Sequence, residues 1–231
     1  DISIVFQNSM TALNPVRKVG DQIVDALQRH EKVSREDAIQ RGKLIFDRVG
    51  IAKERFMQYP HEFSGGMKQR AVLALALICH PKIMLADEPT TALDVVAQRQ
   101  VLNLFRDLQE EFGLSLLMIS HDISAVAEIC EEIAVMYAGR IVESGTVMEV
   151  FNEACHPYTV GLLRCVPRLD ESKDARLSTI EGETLSLIDM PPSCAFLPRC
   201  SRGAERCRKE AAPDLVHVGG QHYVACYYAG S

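Results

Sequence analysis

Apolar and polar positions divide the chain into recognisable elements. Residues 1–6 read as a strand. From residue 20 to 50 the apolar positions recur at helical spacing: Ile23, Ala26 and Leu27 make one short face, and Ala38, Leu44, Ile45 and Val49 make the buried side of a second helix. Ser34, with Asp37 three residues on, gives that second helix a capping-box start, and Gly50 marks its end. A further helical pattern follows Gly66, and Lys82 then leads into Ile83, Met84, Leu85 and Ala86, a continuous apolar run that predicts a strand buried on both faces. After Asp94, a good N-cap, Val101, Leu104, Phe105, Leu108 and Phe112 repeat at helical spacing until Gly113 closes the helix. Residues 115–120 predict another buried strand. Residues 133–137 and 140–143 flank Ala138-Gly139 as a hairpin closing the core. The expected fold is α/β, a mainly parallel sheet with attached helices.

With 231 residues, 47% hydrophobic and 24% charged, the chain has room for one large domain or a domain with an appendage. The longest apolar run, residues 71–79, is far short of the ~20 residues a bilayer-spanning helix needs, and no signal-peptide pattern opens the sequence. A cytoplasmic protein is therefore expected. A net charge of −6 argues against a general nucleic-acid surface, which needs clustered Lys and Arg. Of eight cysteines, Cys79, Cys130, Cys155 and Cys165 fall singly in or beside apolar segments and read as packing residues. Cys194, Cys200, Cys207 and Cys226 crowd into the last 38 residues, where a thiol cluster in a reducing compartment suggests metal before disulfide.

The densest chemistry lies in residues 63–94. Ser64, Gly65 and Gly66 precede a helix, so their N–H groups and the positive end of the helix dipole suit an anion. Asp87 and Glu88 end a strand, the position of ligand crevices in α/β sheets; one carboxylate suits Mg²⁺ while its neighbour polarises a water for attack on a phosphoryl group. A structural ion pair is the other reading of that carboxylate pair. The order FSGGM, IMLADEP and TALD resembles the signature motif, Walker B motif and D-loop of ATP-binding cassette (ABC) ATPases. That resemblance implies an ABC-type nucleotide-binding domain that takes ATP and Mg²⁺. Ser64, Gly65 and Gly66 would bind the γ-phosphate of a nucleotide held by the opposite subunit, Asp87 would partner Mg²⁺, Glu88 would be the general base and Asp94 the dimer-interface link. Phe63 and Met67 depart from the commonest LSGGQ wording of the signature and leave its glycines intact.

Gln7, at the end of the first strand, begins FQNSMTALNP, which resembles the Q-loop of oligopeptide and dipeptide importers; the resemblance makes Gln7 a sensor of Mg²⁺ and of the attacking water that also touches the membrane subunit. His121, at the end of the strand after the Walker B motif, resembles the switch histidine that contacts the γ-phosphate; by residue type alone a core or surface histidine is the favoured reading, and its place at a strand's carboxyl end turns it to function. Residues 18–75 resemble the helical subdomain facing the permease, with plain scaffold as the alternative. No segment fits the P-loop pattern G-x-x-x-x-G-K-[S/T]. The expectation is a family member truncated at its amino end and inactive alone, with a natural variant lacking the Walker A motif as the rival.

The segment FNEACHPYTVGLLRCVP, residues 151–167, resembles the opening of the carboxy-terminal extension of oligopeptide, dipeptide and nickel importer ATPases. The expected division is an ABC ATPase domain at 1–150 and an extension at 151–231. Residues 168–193 read as a polar connector with a possible strand at 185–188. The C-x₅-C-x₆-C-x₁₈-C spacing matches neither zinc knuckles nor ferredoxins, so spacing leaves an iron–sulfur cluster, zinc and unligated thiols all open. The resemblance to dipeptide importer ATPases implies a [4Fe–4S] cluster on the four cysteines. Arg199, Arg202, Arg206 and Arg208 either stabilise thiolate charge or form a solvated basic face.

The resemblance thus implies a peptide-importer ATPase on the cytoplasmic face of the membrane. Its partners would be a second ABC ATPase subunit, two permease subunits and, indirectly, an extracytoplasmic solute-binding protein, with no nucleic acid. The alternatives are a non-hydrolysing interaction or iron–sulfur module, an ATPase importing nickel or another solute, and a soluble ABC ATPase of DNA repair or translation. The last is disfavoured by the Q-loop and the carboxy-terminal segment.

Overall fold

Three strands distant in sequence lie side by side in parallel: β1 (Ile2–Val5), β2 (Ile83–Asp87) and β3 (Ser115–Ile119), in that spatial order, with Val5 opposite Ala86 and Asp87 opposite Ile119. Parallel pairing needs long crossovers, and the helices α1 (Val19–His30), α2 (Arg35–Arg48), α3 (Gly65–Leu77) and α4 (Val95–Phe112) supply them. In this computed structural model the described residues are 2–7, 12–91, 93–166, 179–183, 186, 188 and 190–229. They divide into two compact units, Asp1–Ile129 and Cys130–Ser231.

The first unit's sheet differs from expectation in one respect. Met84, Ala86 and Val5 are fully buried, but on the other face Ile2, Ile83, Leu117 and Ile119 are 63%, 40%, 57% and 55% exposed. The strands are apolar on both faces, as a doubly covered sheet requires, yet among the described residues only one face is covered. Residues 83–87 and 115–119 are therefore half-buried strands here, and Asp87 belongs to the open face by strand alternation.

The helices of this unit pack on aromatic rings. Phe46, Phe56 and Phe63 meet edge to face, with the first two ring centroids 5.0 Å apart. Phe56 lies so close to α1 and α2 that a Cβ added at Gly20 or Gly42 would sit 2.5 Å from its ring. Ser34 caps α2 as expected, its hydroxyl accepting from Asp37 N–H at 3.0 Å. Leu44 is corrected: it is 57% exposed, because Ala38, Gly42, Ile45, Phe46 and Val49 already form the inward stripe and Leu44 falls outside it. Gly113, at φ 59°, closes α4 in the left-handed conformation. A short helix, α5 (Ile123–Ile129), ends the unit.

In the second unit the hairpin forms as expected: β4 (Glu132–Tyr137) and β5 (Arg140–Thr146) turn on Ala138 and Gly139 at φ 49° and 76°, a two-residue reversal of the primed type. Instead of ending there, the sheet runs on in the order β4-β5-β7-β6, with β6 (Val216–Gly219) and β7 (His222–Val224) contributed by the tail. Between β5 and β6 in the chain come α6 (Val147–Glu153), α7 (Pro157–Arg164) and α8 (Glu205–Lys209). The hairpin therefore shares a compact unit with the carboxy-terminal residues. Val135, Tyr137, Val142, Val150 and Phe196 form that unit's core. Ile180 packs against it, whereas residues 167–178 and Leu185 and Leu187 of the expected strand lie outside the described residues. Among the described residues no helix is long and apolar enough to cross a membrane.

Candidate functional site

The first site is assembled where the parallel strands end. Glu88 follows β2 and adopts φ 44°, a left-handed backbone unusual for a residue with a side chain. Its N–H donates to Ile119 O of β3 at 2.8 Å, holding the turn against the neighbouring strand. Three side chains then converge on its carboxylate. Gln7 Nε2 donates to Oε2 at 2.8 Å, Thr91 Oγ1 donates to Oε2 at 2.7 Å, and His121 Nδ1 lies 3.0 Å from Oε1. Gln7 and His121, separated from Glu88 by 81 and 33 positions, are thus brought together by β1 and β3. These bonds, His121's first and then Thr91's, hold the Glu88 carboxyl below its ordinary pKa and keep it ionised. Glu88 is only 21% exposed while His121 is 74% exposed, so one partner lies at the surface where a ligand could displace it.

Ser64 caps α3, its hydroxyl accepting from Met67 N–H at 3.3 Å, so the helix begins at the signature glycines. Beside Gly66 the space is open: an added Cβ would meet nothing within 4 Å. The sequence reading missed Gln69, buried on α3, whose Nε2 donates to Pro89 O at 2.8 Å and ties the glycine-bearing helix to the loop after Glu88. Set between Lys68 and Arg70, Gln69 carried no local signal of burial. Asp94 is exposed and caps α4 through Ala97 N–H at 2.9 Å, and Val95 and Val96 beside it are 82% and 68% exposed. Asp122 caps α5 and accepts from Gln98 Nε2 at 2.8 Å.

The second site is in the second unit. Cys194, Cys200, Cys207 and Cys226 all line one small cavity of about 20 Å³, walled also by Phe196 and His156. Burial pushes the thiols of Cys194, Cys200 and Cys226 above their ordinary pKa, so without a metal they are neutral. Of the four arginines near them in sequence, Arg202 lines the cavity; Arg199 donates instead to Glu181 O and Ile180 O, and Arg206 pairs with Glu210 and lies over the Tyr227 ring. Arg208 is exposed. The described geometry thus gives one arginine to the cavity.

Glu143 of β5, fully buried, was not anticipated. Its Oε1 accepts from Cys155 N–H at 2.7 Å and from His222 Nε2 at 2.8 Å, and its Oε2 accepts from His156 N–H at 3.0 Å. It therefore joins β5, the entry to α7 and β7 at one point. Glu143, Cys155 and His222 also bring ligand-type atoms within 4.8 Å of one another. The 2.8 Å Glu143–His222 contact is a hydrogen bond, shorter than the roughly 3.3 Å between ligands that tetrahedral zinc bond lengths imply. Burial drives the pKa of neighbouring His156 down to about 4.

Residues 1–91 match the family model "ABC transporter", and residues 142–207 match "Oligopeptide/dipeptide transporter, C-terminal region". The chain is 50% identical to a putative peptide import ATP-binding protein of Brucella melitensis, over 98% of this chain and 69% of that protein. It is 44% identical to the oligopeptide transport ATP-binding protein OppD of Salmonella typhimurium, over 98% and 67%, and 46% identical to the dipeptide transport ATP-binding protein DppD of Bacillus subtilis, over 98% and 68%. Among solved structures it resembles cbiO1 of Clostridium perfringens, part of the ABC transporter complex cbiONQ, at a TM-score of 0.60 and 29% identity, covering 66% of this chain and 59% of that one.

Proposed function

Because the chain belongs to the ABC transporter ATPases, among the ATP-binding proteins of oligopeptide and dipeptide import, we propose that it binds and hydrolyses ATP to power peptide uptake through a membrane permease. The observation that carries this reading is the meeting of Gln7, Glu88 and His121 on one carboxylate at the ends of three parallel strands. In hydrolysis, water attacks the γ-phosphorus, the bond to the β–γ bridging oxygen breaks with ADP as leaving group, and Glu88 accepts the water's proton. Asp87 and Gln7 would hold Mg²⁺, which would neutralise charge on the phosphates. His121 orients the γ-phosphate. Ser64, Gly65 and Gly66 serve a nucleotide bound by a second ATPase subunit, and Asp94 with its exposed valines faces that partner. The ATPase domain takes residues 1–150, with a helical subdomain at about 18–75, and 151–231 form the extension. The protein works at the cytoplasmic face, peripheral to two permease subunits fed by an extracytoplasmic binding protein.

No segment of the sequence fits the P-loop pattern, and the 231 residues alone should hydrolyse ATP negligibly. The test uses the full-length protein assembled with its permease in proteoliposomes. Peptide uptake coupled to ATP hydrolysis is expected, and turnover that no peptide stimulates overturns the reading.

The four cysteines of the second unit fit a [4Fe–4S] cluster. They come from separate stretches of the tail, all line one cavity, and the thiols of Cys194, Cys200 and Cys226, pushed up by partial burial, become good ligands when metal displaces their protons. Bound there, the cluster supplies cross-linking for a segment with little core of its own. Anaerobically purified protein is expected to carry about four iron and four sulfide per chain; colourless protein with zinc replaces iron by zinc.

A further inference from the structure

His156 stands at the N-cap of α7 and lines the cavity shared by Cys194, Cys200, Cys207 and Cys226. It is 2% exposed and held on two sides. Its own N–H donates to Glu143 Oε2 at 3.0 Å, and its ring Nδ1 accepts from Tyr158 N–H at 3.1 Å. The Phe196 ring, 5.7 Å away between centroids, packs beside it. A ring nitrogen that accepts a backbone N–H carries no proton, so in the neutral imidazole the proton is on Nε2. That Nε2–H has no hydrogen-bond partner among the described residues. A donor on a nearly closed-off imidazole gains from an acceptor, and the cavity that His156 lines brings in four cysteine sulfurs.

We propose that His156 donates its Nε2–H to a sulfur atom of the group held by the four cysteines, stabilising added negative charge there and setting its reduction potential. This rests on the cluster reading above. The Glu143 contacts are what aim the imidazole: Glu143 fixes the backbone at Cys155 and His156 and, through His222, the strand that leads to Cys226. A donated hydrogen bond favours the more negative, reduced state of an iron–sulfur centre, so its loss lowers the potential.

The experiment is an anaerobic redox titration of the full-length protein, read by electron paramagnetic resonance, for wild type, His156→Phe and His156→Gln. Phe keeps a packed ring without a donor, and Gln keeps an N–H. His156→Phe is expected to weaken one-electron reduction roughly tenfold, a shift of about 59 mV to lower potential, with Gln recovering part of it. Should either variant fold poorly, wild-type protein labelled with ¹⁵N-histidine is expected to show nitrogen hyperfine coupling in the reduced state. Iron-free wild-type protein overturns the cluster reading. Iron-loaded protein with no nitrogen coupling, or a His156→Phe variant with wild-type iron and unmoved potential, overturns the role of His156 alone.

Discussion

Two carboxylates, Glu88 and Glu143, each gather three hydrogen bonds, some from residues far apart in sequence, and they do so with different kinds of donor. Glu88 is 21% exposed and is bound by three side chains, those of Gln7, Thr91 and His121. Glu143 is fully buried and is bound by two backbone N–H groups and one buried histidine. Side-chain donors on separate strand ends can rotate away when a nucleotide arrives, and each can then serve the phosphate instead. Backbone donors cannot leave without unfolding the turn that carries them. The first arrangement suits a reaction and the second suits a fixed joint, though the local chemistry of the two acids is the same.

The largest expected effect breaks that comparison at its reactive end. In the full-length ATPase, Glu88→Gln should lower the hydrolysis rate by about 10²–10⁴-fold, the usual contribution of a general base, while ATP binding and melting temperature stay close to wild type. Single-turnover hydrolysis with a bound-nucleotide assay measures both, and near wild-type turnover would remove Glu88 from the role. At the structural end, Glu143→Ala should leave the hydrolysis step intact and cost about 1–3 kcal/mol of local stability for each buried donor left without its acceptor. Hydrogen exchange at the Cys155 and His156 amides reads this directly, and unchanged protection would mean that Glu143 does not hold the turn.

A smaller effect sharpens the contrast by pH. Thr91→Val removes one of the bonds that depress the Glu88 pKa, so that pKa should rise and the carboxylate should take up a proton at higher pH than in wild type. The acid limb of the pH–rate profile should therefore move to higher pH, while the rate near neutrality, where Glu88 is ionised in both proteins, stays close to wild type. An acid limb displaced the other way would contradict the hydrogen-bond account. Smallest of all, Leu44→Glu should change stability by no more than about 0.5 kcal/mol, since the side chain is exposed. A drop of several kcal/mol in denaturant unfolding would put Leu44 back in the core.

The sequence by itself determined the local elements and the chemistry carried by contiguous motifs. Helical spacing and caps at Ser34 and Asp94, the Ala138-Gly139 reversal, and the glycines before α3 depend on interactions within a few residues, which is why they were legible. Gln7, Glu88 and His121 were legible because their order along the chain resembles a known family. Their hydrogen bonds were not, since these exist only once β1, β2 and β3 pair. Tertiary structure alone decided that Glu143 is a buried joint, that the hairpin continues into a sheet with the tail, and that four cysteines and His156 wall one cavity. A single glutamate in a strand carries no local mark of what it will meet. Its environment is made by segments up to 79 positions away, and no periodicity in the chain encodes that meeting.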